Sequence, residues 1–137
     1  MFMYFISYSS YASFDLNEDQ LKSLLIQSRD RNQHMGITGM LFYFDQKFIQ
    51  LIEGEEDSVK LLYADICEDE RHKHVITLKE GVIENRYFLD WSMGFKSIST
   101  DEMDNLEGYQ NLQTPTGLNF PSILNLMKLV SDKEPLS

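Results

Sequence analysis

An α+β fold of order β-α-β-β-α-β-β is predicted by three observations. Five short stretches are apolar in alternation or throughout, two longer ones repeat apolar residues at helical spacing, and 137 residues suit one domain of the usual ~100–200. Residues 2–8, FMYFISY, mix aromatic, β-branched and hydroxyl side chains as strands do. In DLNEDQLKSLLIQSRDRNQHMG, Asn17 is placed to cap a helix, Gln20 to complete a capping box, and Leu16 and Leu21 to form the flanking staple. Leu21, Leu24, Leu25 and Ser28 then share one face, and Gly36 suits the C-terminal stop.

ITGMLFYF and KFIQLIEG are two strands joined at Asp45-Gln46, each apolar on both faces. From Glu56 a second helix carries Val59, Leu62, Tyr63, Ile66 and Cys67 as a core-facing stripe, ending near Asp69-Glu70. HVITLKEGVI and DWSMGFKSI supply the last two strands, across the polar segment ENRY. This is the ferredoxin-like split βαβ arrangement with one added strand, a five-stranded mixed sheet. Right-handed crossovers place both helices on one face. The other face needs a cover, expected from a weak helix in DEMDNLEGYQNL and a stronger one from about Pro121, with Ile123, Leu126, Met127 and Val130 on one side.

With 42% hydrophobic and 25% charged residues the composition is that of a soluble globule, and no apolar run approaches the ~20 residues of a membrane span. MFMYFISYSSY has no basic n-region and no cleavage pattern, so a cytoplasmic location is the default. A net charge of −10, from 22 acidic and 12 basic residues, argues against nucleic acid and anionic membrane as partners. Cys67, the lone cysteine, permits no internal disulfide and reads as a small buried hydrophobe.

Polar residues on apolar stripes are the candidates for chemistry. Gln50 interrupts the apolar face of Phe48 and Ile52, and a buried amide left unbonded costs about 1–3 kcal/mol. Tyr8 closes the first strand on the face of Tyr4 and Ile6, and Asn32 projects from the first helix on the side of Leu25 and Ser28. Their convergence between helices and sheet suggests a polar-edged ligand pocket. Neither a nucleophile elbow nor a phosphate-binding glycine loop is present, so an enzyme is not expected. His72 and His74 form an HxH that could hold a metal from a strand. Solvated loop histidines beside Arg71 and Lys73 are the favoured reading, since no further ligands cluster with them.

A strand ending YSS, RN near the end of the first helix, GITGMLFY, FIQLIEGE, DERH and WSMGF follow in order between about Phe2 and Ser97. Together they resemble the BLUF family, flavin-binding blue-light sensors. The resemblance implies a sensor domain over residues 1–98 and a C-terminal helical cap or output segment over 99–137. It implies a non-covalently bound flavin, FAD ahead of FMN or riboflavin, in contact with Leu24, Ser28, Arg31, Asn32, Gln50, Ile66, Arg71 and His72. Leu24 and Ile66 match positions that sandwich the ring, Asn32 its pyrimidine edge with Arg31 beside it, and Arg71 and His72 the ribityl and phosphate end. Tyr8 matches the photochemical electron donor and Gln50 the amide that rearranges to strengthen a hydrogen bond to the flavin C4 carbonyl. Trp91 and Met93 match the fifth-strand pair that reports the signal. Two positions depart from the pattern: Arg31 stands where members often have asparagine or histidine, and Asp65 where some carry a base. The resemblance further implies a downstream signalling protein as partner and a homo-oligomer. The alternative is a light-independent interaction module with a vestigial pocket.

Overall fold

The computed structural model describes residues 2–14, 16–44, 46–88, 93–97, 124, 127 and 128. In chain order the elements are β1 (Met3–Ala12), α1 (Glu18–Met35), β2 (Thr38–Phe44), β3 (Lys47–Gly54), α2 (Glu56–Glu68), β4 (His72–Ile83) and β5 (Gly94–Ser97). The first strand thus runs four residues beyond the predicted FMYFISY, the fourth begins two residues earlier than HVITLKEGVI, and the ends of the predicted DWSMGFKSI lie outside the described residues.

The ends of α1 follow from its sequence. The Asn17 side chain accepts the Gln20 backbone N–H at 2.8 Å, and Gln20 Oε1 accepts that of Asn17 at 2.9 Å, closing the capping box. Gly36 ends the helix at φ 68°, a left-handed conformation, where its N–H reaches the Asn32 and Gln33 carbonyls. At the start of α2, Glu55 provides no side-chain cap, and Glu56 and Asp57 meet the positive end of the helix dipole instead.

The sheet order is β4-β1-β3-β2-β5, antiparallel throughout except where β5 runs parallel to β2. Ile6, Tyr8, Leu41, Phe48 and Ile52 form one core with Val59, Leu62 and Ile66 of α2, and Leu21, Leu24 and Leu25 of α1 pack against it. Both helices therefore cover the same face. Gly39 of GITG has a steric reason to lack a side chain, since a Cβ there would meet the Leu51 carbonyl oxygen at 2.0 Å. Cys67 corrects the helical stripe: it is exposed, whereas Val59, Leu62 and Ile66 are buried. Eight positions beyond Val59 it has rotated ~80° around the helix, away from the buried line.

Phe5, Met40, Phe42, Ile49 and Leu51 are buried on the opposite face. The segment after β4 covers part of it, with the Tyr87 ring edge-on to Phe5 at 5.7 Å. That segment is held by Glu53, a fully buried carboxylate that accepts the Tyr87 N–H at 2.7 Å, the Phe88 N–H at 2.8 Å and the Thr38 hydroxyl at 2.8 Å. Arg86 adds bonds to Thr38 Oγ1 and to the carbonyls of Glu53 and Gly36. A buried charge requires such a set of partners. Met127 is buried, and Lys128 Nζ lies 5.4 Å from the Tyr87 ring centroid. The predicted helix over DEMDNLEGYQNL lies outside the described residues, as does most of the helix from Pro121. No helix among the described residues is long and apolar enough to cross a membrane.

Candidate functional site

Strand register brings the site together. In β1–β3 pairing Tyr8 stands opposite Gln50, and in β2–β3 pairing Leu41 does, so Gln50 lies between a phenol and an aliphatic chain on the helix-facing side. The Tyr8 hydroxyl donates to Gln50 Oε1, and Gln50 Nε2 donates to Met93 Sδ at 3.3 Å. Both ends of the amide are bonded, at residues 3%, 4% and 0% exposed. Low polarity around such a chain strengthens its bonds. Burial first, and Tyr63 second, hold the Tyr8 phenol well above its ordinary pKa. It is neutral and protonated at physiological pH.

Above this chain is a pocket that opens to solvent. Leu24 of α1 and Ile66 of α2 line it from the two helices, and Tyr8, Leu41, Phe48 and Gln50 from the sheet. Its polar lining is Ser28 and Arg31 from α1 and Asp69, Arg71 and His72 from the α2–β4 junction.

Of the residues predicted for a site, Tyr8, Leu24, Ser28, Arg31, Gln50, Ile66, Arg71 and His72 line this pocket. Asn32 is fully buried near the end of α1 and is not in the lining. Met93, fully buried, meets the far end of the Gln50 amide. Trp91 lies outside the described residues.

The polar side is ordered by ion pairing. Arg71 grips Asp69 through Nε and Nη2 and reaches the Gln27 amide oxygen at 3.1 Å. Each partner is the main cause of the other's shift, Asp69 below its ordinary pKa and Arg71 above. His72 departs from the predicted solvated loop histidine. It belongs to β4 because that strand begins early, and its ring nitrogens contact Ser10 Oγ at 2.7 Å and the Ile66 carbonyl. His74 stands at φ 56°, which breaks the alternation an HxH metal pair needs, and no metal-binding cluster occurs among the described residues.

Three residues of the site escaped the sequence reading, which places Phe48 on the face of Gln50. Leu41 could have been found from the hairpin, since it pairs with Gln50. Asp69 precedes Arg71 by two positions. Arg29, whose Nε donates to the Met93 carbonyl at 2.9 Å, is 64 positions from its partner, and no local pattern signals the contact.

One unmet group indicates the ligand's character. Arg31 Nε is buried without a hydrogen-bond partner, and burial lowers the Arg31 pKa. A flat ring with apolar faces and an acceptor-bearing edge fits: Leu24 and Ile66 suit the faces, and an edge acceptor would relieve Arg31. A flavin has this form. The model of the family described as "Sensors of blue-light using FAD" matches residues 3–94.

The chain belongs to the BLUF family.

Photoactivated adenylate cyclase subunit beta of Euglena longa is 31% identical over 99 residues, which are 72% of this chain and 11% of that protein. The chain thus spans about a tenth of that curated relative's length. Two solved structures match nearly end to end. BlsA in its photo-activated state aligns at TM-score 0.78 and 28% identity, over 98% of this chain and 99% of its own. BlrB, a BLUF protein in its dark state, aligns at 0.77 and 26%, over 93% and 96%. As a BLUF domain the chain is a flavin-binding blue-light sensor of ferredoxin-like fold, and FAD is the flavin in the family's description.

Proposed function

We propose that this BLUF domain switches through Tyr8, Gln50 and Met93 and passes its signal to a separate protein. The hydrogen-bonded series Tyr8 to Gln50 to Met93 carries this reading, because it joins an oxidisable phenol to a reversible amide at the edge of the pocket. When bound, the flavin supplies a blue-light absorber whose excited state is a strong one-electron oxidant. With the flavin as acceptor, Tyr8 would supply the electron, and its hydroxyl proton would move along the existing bond toward Gln50 Oε1. Return of both to Tyr8 would leave Gln50 rotated or tautomerised. The rearranged amide would donate more strongly to the flavin, which would move its absorption to the red. Rotation exchanges the two ends of the amide, so Met93 Sδ loses its N–H donor.

Leu24 and Ile66 hold the ring, Ser28, Arg31 and Asn32 its polar edge, and Arg71 and His72 the chain beyond it. Met93 immediately precedes β5 and is tied to α1 through Arg29, so a change at its side chain reaches two elements. Residues 99–137 then serve as the output segment. The effector in this reading is a partner protein in the cytoplasm, met by a homo-oligomer that acts by binding and not by turnover. Tyr8→Phe and Gln50→Leu test the switch. Both are expected to bind flavin and to lose the light-induced red shift. A normal photocycle in either refutes the assigned role.

A further inference from the structure

We infer that the groove beside the flavin pocket receives the adenosine half of FAD, with Phe14 as the surface on which the adenine stacks; this rests on the flavin reading above. The groove lies between the segment following β1 and the first turns of α1, has a volume of about 320 Å³ and opens to solvent. Leu24 and Arg71 line both it and the flavin pocket, so the two are continuous.

FAD joins its flavin to adenosine through a ribityl chain and a pyrophosphate. A ring between Leu24 and Ile66 with its chain passing Arg71 delivers the adenosine into this groove. Arg71 can meet the pyrophosphate: although forked on Asp69, its Nη1 is spent on an exposed neutral amide, Gln27, which a phosphate oxygen can replace with a stronger, charge-assisted bond. The N-terminus of α1 offers no rival anion site at Asn17 and Gln20, because the capping box already takes their N–H groups. Asp19, also in the lining, opposes a phosphate in the groove itself and favours the hydroxyls of a ribose or the amine of an adenine. Phe14 is 49% exposed and, with Leu16, supplies an apolar surface for a planar base. Base stacking on an aromatic ring, at the low end for a half-exposed one, is worth roughly five- to tenfold in affinity.

The full-length holoprotein, equilibrated with equal excess FAD and FMN, is denatured and its released flavins are separated and quantified. Wild type is expected to hold FAD over FMN by about five- to tenfold. Phe14→Ala brings that ratio close to one, Phe14→Trp preserves it, and riboflavin binding is unchanged in both. Equal uptake of FAD and FMN by wild type overturns the inference, as does an undiminished FAD preference in Phe14→Ala. A parallel loss of riboflavin in Phe14→Ala also overturns it, by showing that Phe14 supports the flavin pocket and not the adenine. Wild type that takes up no riboflavin, FMN or FAD overturns the flavin reading itself.

Discussion

The switch proposed for Gln50 rests on an amide whose two ends are both occupied by groups that tolerate exchange. A phenol oxygen can donate or accept, and a thioether is a weak acceptor that is cheap to lose. Replacing Met93 Sδ by water or a carbonyl would pin the amide in one orientation. The state of Tyr8 gives a pH test. Its pKa is raised in the folded protein, so its contribution to stability is intact below the unfolded value of about 10 and is lost as pH rises beyond it, where only the unfolded chain ionises. Denaturant titrations at pH 9 and 11 should show wild type losing more stability than Tyr8→Phe across that interval. Equal losses would contradict a buried neutral phenol. Tyr8 and Gln50 were legible in the sequence because a polar residue on an apolar strand face needs a partner. Met93's contact with Gln50 was not, for it depends on where the chain after β4 returns; Arg29's contact shares that difficulty.

At the level of elements, local signals were the readable ones. The capping box of α1 and the left-handed Gly36 were legible because each is completed within a few residues. Cys67 was misplaced because an i+8 position at the end of a short helix has drifted off its stripe, and His72 because an edge strand's start is set by pairing with β1 and not by composition. Glu53 was equally hidden, a carboxylate buried in an apolar strand whose partners come from 34 and 35 positions away. Glu53→Ala removes the acceptor of two backbone N–H groups and of Thr38, and unsatisfied buried donors cost about 1–3 kcal/mol each. Chemical denaturation is expected to show a loss of at least ~2 kcal/mol. A loss under ~0.5 kcal/mol, the range of an ordinary surface substitution, would mean that the segment of residues 84–88 is held by other contacts.

For the whole molecule, the fold class was predictable because each element's period agreed with one topology, whereas the sheet order that sets Tyr8 opposite Gln50 depends on long-range strand pairing. The cover of the second face was expected from C-terminal helices, most of which lie outside the described residues, and the part contributed by Tyr87 was not legible. The acidic surface bears on the partner, since a net charge of −10 favours a basic protein face and a salt-sensitive encounter. Pull-downs with the full chain in darkness and under blue light should recover a partner in one state and not the other. Identical recovery in both, from a protein whose spectrum does respond to light, would support a light-independent interaction module.

The central claim is that a flavin in the pocket above Tyr8 and Gln50 reports light through a rearranged hydrogen bond. The absorption spectrum of the purified protein, before and after blue light, tests it most directly. The protein should be yellow, its flavin bands should move slightly to the red on illumination, and they should return in the dark. A colourless protein that rejects added flavin, or a bound flavin whose bands stay fixed under light, would contradict it.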